Sequence, residues 1–469
     1  MTAPEHLTIS GPEDILGYIP HSLGYWPSQS LVAMTMQGKR LGATLRVDLP
    51  EGRGRRGREA FARTVAEYLL ADKEADGTLL VFFTDGLNDD GRESATAWSF
   101  RPLLADLECA LGLAGMPVRD AWRVGDEYWR NVYCTDSSCC PPPGRPIAEI
   151  RDSRLNAEMV YLGSSVGAPP GDALPGNANT PAAEDAAVTA AERDWTLALA
   201  GKGTHRAQFD AVLDAWTAAL EAVSPEAVPG GAVPGGAGLL AARPLSGVSG
   251  RGLEPELAGF LRASLRVPAW RDAVLVMAAA GRAAAAAGAE AFGIFSAGAG
   301  SPVSCPPLPE PHLSPSGLAG PASDAREASA VPGTEQGGDR SEQGTATRCP
   351  GQAPVSSSGR NALPGYGEVL LGLSPPVPDW DTLKRLEGLM VELSCGGGEA
   401  QAAALTATGW IEWCRGRGSF AHASLTRALE ASPGYRLAEL LSEVVRRGTI
   451  CGWAGRREAA WQKFGADAA

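Results

Sequence analysis

The chain lacks any apolar run long enough to cross a bilayer. Its most apolar stretch, Ala273 to Ala289, is largely alanine and is interrupted by Arg282, well short of the ~20 apolar residues a spanning helix needs. A basic excess is also missing. Lys and Arg number 41 against 54 Asp and Glu, for a net charge of −13 and a pI near 5.0. Without a basic field, general affinity for nucleic acid or anionic membrane has no source. The first eighteen residues hold no basic segment leading into an apolar one, so no secretory signal is read there and a cytoplasmic location is expected. Recognisable catalytic motifs are absent too. Ser30 has no nucleophile elbow around it to pair with His21. Arg53, Arg55, Arg56 and Arg58 are interleaved with glycines before a helix, yet lack the Walker spacing and its lysine. No cofactor-binding motif is found.

What the chain does have is length and breakers. At 469 residues it can bury sizeable cores, while 58 Gly and 36 Pro, about a fifth of the chain, point to long connecting segments. Residues 31–36 and 41–49 read as two strands of a hairpin about Gln37-Gly38-Lys39-Arg40. From 57 to 72, Phe61, Val65, Tyr68 and Leu69 fall on one helical face. Residues 78–83 form a buried strand, 98–114 a second helix, and VRDAWRV and YWRNVY two further strands. The order ββαβαββ predicts an α/β domain over 1–165.

An Ala-rich helical region follows over 182–295, with a Gly/Pro/Ala loop near 224–250. Residues 296–364 are rich in Pro, Gly and Ser and poor in large apolar residues, which predicts a disordered linker. Helical periodicity returns at Leu383, Leu386, Leu389 and Leu393, so 365–469 is expected to be a small helical domain. Its core is read as Leu425, Leu429, Leu437, Leu440 and Leu441 about a turn at Pro433-Gly434. Trp410 and Trp413, three apart on one face, read as core. His422 reads as a surface or boundary residue.

Several segments recur together in order: Leu16-Gly17-Tyr18-Ile19-Pro20, Pro27-Ser28-Gln29-Ser30-Leu31-Val32, Arg46-Val47-Asp48-Leu49-Pro50, Tyr133-Cys134-Thr135-Asp136-Ser137-Ser138-Cys139-Cys140-Pro141 and Pro433-Gly434-Tyr435-Arg436-Leu437-Ala438. In these the chain resembles a domain-of-unknown-function family of actinobacterial cytoplasmic proteins. The resemblance implies an architecture and a source group, and carries no catalytic residues across.

Two constellations carry chemistry. Asp48 and Asp85 each follow an apolar strand. If those strands are parallel neighbours, both acids stand at the carboxyl edge of the sheet, where they could hold a divalent cation or act as an acid/base pair; otherwise they are turn and loop residues. Cys134, Cys139 and Cys140 offer half of a zinc site with no second pair of ligands following. The alternative is structural thiols in a rigid, apolar corner before Pro141-Pro142-Pro143. The odd count of nine cysteines fits reduced thiols better than a disulfide framework.

With no complete catalytic constellation and a long linker between folded parts, the sequence favours a non-enzymatic binding or scaffold protein with an unidentified protein partner. The competing readings are a small-molecule or metal-dependent enzyme using Asp48 and Asp85, and weak nucleic-acid binding through Arg446, Arg447, Arg456 and Arg457. The acidic total disfavours the last.

Overall fold

The computed structural model describes residues 9–50, 54–84, 101–171, 182–223, 253–295, 303–307 and 363–462. Helix α1 (Pro12–Leu23) opens the chain, followed by β1 (Ser30–Gln37), β2 (Arg40–Asp48), α2 (Arg55–Leu69), β3 (Gly77–Phe83), α3 (Arg101–Leu113), β4 (Val118–Val124), β5 (Tyr128–Asn131), β6 (Arg145–Pro146), α4 (Ala148–Arg151) and α5 (Arg154–Tyr161). The strands form one mixed sheet in the order β2-β1-β3-β4-β5-β6, in which only β3 and β4 are parallel neighbours. The α/β expectation therefore holds, with α1 as an unexpected element. Pro12 suits the first turn of α1 because its missing N–H costs nothing there. Gly24, at φ 88°, ends the helix by donating its N–H to Pro20 O at 2.8 Å.

Alternation along the strands divides the core between two faces. Leu31, Ala33, Leu80, Phe82 and Ala121 pack under α2 and α3. Val32, Met34, Leu79, Val81, Trp122 and Trp129 pack under α1 and α4. Asp14 of α1 is buried and accepts the backbone N–H of Leu155 at 3.2 Å, which fixes α1 against the first turn of α5.

The remainder is helical: α6 (Ala182–Ala198), α7 (Arg206–Ala222), α8 (Pro255–Leu265), α9 (Pro268–Ala280), α10 (Arg282–Ala291), α11 (Tyr366–Leu370), α12 (Trp380–Leu393), α13 (Gly398–Cys414), α14 (Gly418–Ala431) and α15 (Arg436–Arg446). The helices on the two sides of the break share one hydrophobic cluster that includes Trp216, Trp270, Leu386, Trp410 and Trp453. The expected linker, 296–364, lies outside the described residues apart from 303–307 and 363–364. Residues 303–307 run along α7, where Gln208 Oε1 accepts the Val303 N–H at 2.7 Å. No helix among the described residues is long and apolar enough to cross a membrane.

One expected core residue is misplaced. Leu440 is 48% exposed, whereas Leu425 is fully buried and Leu437 and Leu441 are packed against the cluster. The turn of α15 that buries Ala438 carries Leu440 to the solvent side, because two residues advance about 200° around a helix. Leu425→Ala is expected to cost about 2–5 kcal/mol and Leu440→Ala no more than about 0.5 kcal/mol, read by denaturant unfolding. Similar losses for both would put Leu440 back in the core.

A buried ionic group lies between α12 and the end of α13. Arg415 bonds Glu387 at 2.7 Å and Glu412 at 3.3 Å, and Arg417 reaches Glu412 at 3.2 Å. Burial pushes the Glu412 carboxyl up to about 7; Glu387 adds to that rise and the two arginines oppose it. The folded state thus retains a proton that the unfolded chain releases near its ordinary value of 4.5. This contribution to stability is full below that value and is lost as pH rises to about 7. Glu412→Gln should gain on the wild type by up to about 3 kcal/mol between those limits. A stability difference independent of pH, measured by thermal unfolding across the window, would show that Glu412 stays ionised.

Candidate functional site

Asp48 lies at the carboxyl end of β2, opposite Ser30 and two strands from Phe83 at the end of β3. Strands β2 and β3 do run in the same direction, but β1 lies between them and pairs antiparallel with both. The condition for a shared carboxylate site therefore fails: these strands are not neighbours. The Asp48 side chain is 77% exposed and pairs with Arg46 at 2.6 Å, while Asp85 lies outside the described residues. Of the arginines before α2, Arg55 pairs with Glu59 and Arg58 with Asp106; Arg53 lies outside the described residues. The His21 ring nitrogens face Ser164 Oγ at 2.9 Å and Asn156 Oδ1 at 2.7 Å, while Ser30 is buried in the sheet. Trp410 and Trp413 are core residues and His422 is exposed. Arg446 and Arg447 both pair with Glu443, and Arg456 donates to the carbonyls of Gly372, Leu373 and Gly452.

The cysteines behave differently. They sit at the opposite edge of the sheet, beside the amino ends of β3 and β4, because β5 runs antiparallel to β4 and delivers the chain there. Beyond β5, Asn131 Oδ1 accepts the N–H groups of Tyr133 at 2.9 Å and Cys134 at 3.0 Å, turning the backbone. Asp136 then organises a second turn. Its carbonyl accepts from Cys139 N at 3.2 Å and Cys140 N at 2.8 Å, and its Oδ1 accepts from Ser138 N at 2.8 Å. The result brings the Sγ atoms of Cys134, Cys139 and Cys140 within 4.8 Å of one another.

Their burial divides them. Cys140 is buried, Cys134 half-buried and Cys139 exposed, so of the three only Cys140 lies in the interior. A backbone hydrogen bond at Asp136, with help from the two neighbouring thiols, lowers the Cys134 thiol below its ordinary range; Cys134 in turn raises Cys139.

The three cysteines border a cavity of about 640 Å³ under α1, whose wall includes Ile15, Met36, Leu79, Trp122 and Trp129. Its polar residues are Asp120, Asn131, Tyr133 and Arg145. Asp120 Oδ1 accepts from Asn131 Nδ2 at 2.6 Å, and Arg145 lies over the Trp129 ring at 4.7 Å. Tyr133 donates to Glu108, and burial together with that carboxylate raises the phenol pKa. Both tryptophans are almost fully buried, and neither indole N–H has a hydrogen-bond partner among the described residues. Asp120, Trp122 and Asn131 escaped the sequence reading. The signal was the alternation in VRDAWRV, which puts Asp120, Trp122 and Val124 on one face.

A family model for a domain of unknown function, DUF4192, matches residues 12–293 and 384–450. The chain belongs to the DUF4192 family. The match takes in the whole sheet, the cysteine loop, most of α12 and all of α13 to α15. No curated protein and no solved structure matches the chain.

The burial difference fixes an expectation for the thiols. Cys140→Ser places a poorly paired hydroxyl in the interior and should cost about 1–3 kcal/mol. Cys139→Ser should stay within about 0.5 kcal/mol of the wild type. Equal, large losses on chemical unfolding would restore the fully structural reading.

Proposed function

We infer that this DUF4192 protein is a non-enzymatic binding protein whose α/β unit takes a small, largely apolar ligand bearing hydrogen-bond acceptors. The observation that carries the reading is the cavity itself, walled by Ile15, Met36, Leu79, Trp122 and Trp129 with Asp120, Asn131 and Arg145 beside them. The wall is mainly aliphatic and aromatic with a few convergent polar groups, the usual make-up of a small-molecule site. Asp48 does not line this cavity. The eight free cysteines among the described residues suit a reducing compartment, in keeping with action in the cytoplasm.

Anilinonaphthalene sulfonate, an apolar ring system with an acidic acceptor group, serves as the probe. Native protein should bind it saturably at one site. Arg145→Gln removes the cation on the cavity wall and should weaken binding about 10-fold or more, the value of a hydrogen bond to a charged group. Absence of saturable binding, or binding indifferent to this substitution, would sink the reading.

A further inference from the structure

We propose that Cys134, Cys139 and Cys140 form a three-thiolate site for a zinc ion, with its fourth coordination position open toward the cavity under α1. The proposal does not depend on whether that cavity takes an organic ligand.

The first support is convergence. Three Sγ atoms from a seven-residue segment lie within 4.8 Å of one another. Tetrahedral zinc with bonds of ~2.3 Å sets its sulfurs about 3.8 Å apart, so closure requires shifts of about 1 Å or less. Adjacent cysteines can share one ion only where the backbone bends between them, and this backbone does bend. Asp136 O accepts the N–H of both Cys139 and Cys140, in a turn held by Ser138 and by Asn131 at its entrance. The loop is shaped by hydrogen bonds of its own, so a metal would find the thiols already gathered.

The second support is exposure. Thiols kept for packing are buried, yet Cys139 is exposed and Cys134 half-buried, which leaves both within reach of an ion from solvent. The third is ligand count. Among the described residues no His, Asp or Glu joins the three thiols as a fourth ligand, and all three cysteines line the cavity. Three protein ligands with one open position characterise zinc sites that accept an exogenous group, whereas closed structural sites use four.

Charge selects the ion. Soft thiolates favour zinc and monovalent copper among the common metals. Three thiolates with a divalent ion leave one negative charge, and with a monovalent ion two. Arg145, the cation on the cavity wall, is already paired with Glu149 at 2.7 Å, so the smaller residual charge is preferred. Each thiol that binds gives up its proton to solvent.

The test uses the full chain, stripped with a chelator under reducing conditions and titrated with zinc against a chromogenic competitor. Cobalt(II) replaces zinc in a parallel titration to report sulfur ligation. One equivalent of zinc per chain is expected, with a thiolate-to-cobalt charge-transfer band. Cys139→Ser, which removes an exposed side chain and leaves the fold intact, should weaken zinc binding by at least about 100-fold, no less than the loss of a supporting residue costs other sites. Cys134→Ser should do the same. Cys109→Ser, an exposed thiol on α3, should bind as the wild type does. Binding well below one equivalent, an absent charge-transfer band, or full affinity in Cys139→Ser would overturn the proposal. Anilinonaphthalene sulfonate is titrated into the same preparations, so zinc binding without probe binding would sink the ligand reading alone, and the converse the metal site alone.

Discussion

A buried guanidinium holds the helical part of the chain together. Arg262 on α8 has no solvent exposure, and a charge in that position is tolerable only when its donors are spent. Its Nε donates to Glu192 on α6 at 2.7 Å, Nη1 donates to the carbonyls of Leu393 and Cys395, and Nη2 reaches Gly397 O at 3.1 Å. Those carbonyls belong to the end of α12 and the turn after it, where a helix leaves acceptors without partners and its dipole is negative. One side chain from the stretch before the break thus completes a helix end from the stretch after it. The surrounding backbone is fitted to this arrangement. Gly396 takes φ +74° beside the guanidinium, and a Cβ on Gly259 would lie 2.5 Å from the Cβ of Ala191, so α6 and α8 approach backbone to backbone.

The sheet imposes the other constraint, on where chemistry can sit. With β1 running against both of its neighbours, the carboxyl ends of β2 and β3 share an edge, but β1 separates them. Among the described strands only β3 and β4 pair in parallel, and the antiparallel β5 carries the chain back to their amino edge. That return places the cysteine loop where α1, Leu79 and Trp122 leave space. The cavity therefore lies at the opposite edge from the one open parallel sheets usually use for ligands.

Much of this sheet was legible because β1, β3 and α2 obey simple periods: buried runs for the strands, and Phe61, Val65 and Leu69 along one helix face. Helix α1 was harder because Pro20 reads as a breaker inside it, although Ile15, Leu16, Ile19 and Leu23 keep helical spacing and share one cluster. A further signal stood at its ends, where Gly11-Pro12-Glu13-Asp14 begins the helix and Gly24 stops it. Strand order, by contrast, is a tertiary fact. Nothing local to residues 41–49 or 78–83 reveals that β1 inserts between them, so the pairing of Asp48 with Asp85 had no means of being checked. Leu440 failed for a related reason: it stands at the margin of the one broad apolar face of α15, and only the position of α13 and α14 decides how much of that face is covered.

The cysteines show how environment, more than residue type, assigns a role. Cys414 and Cys451 share the helical core, both almost fully buried, and burial drives the Cys414 thiol well above its ordinary range. Held protonated there, Cys414 contributes packing and little reactivity. Cys134 and Cys139 have the opposite setting. They stand on a loop whose backbone donors are already engaged, and they are accessible and close enough together to share one ion. Both pairs began as cysteines of similar standing in the sequence. What separates them is that α13 runs through the centre of a hydrophobic cluster, whereas the chain beyond β5 is turned outward by Asn131 and Asp136 before it can be buried.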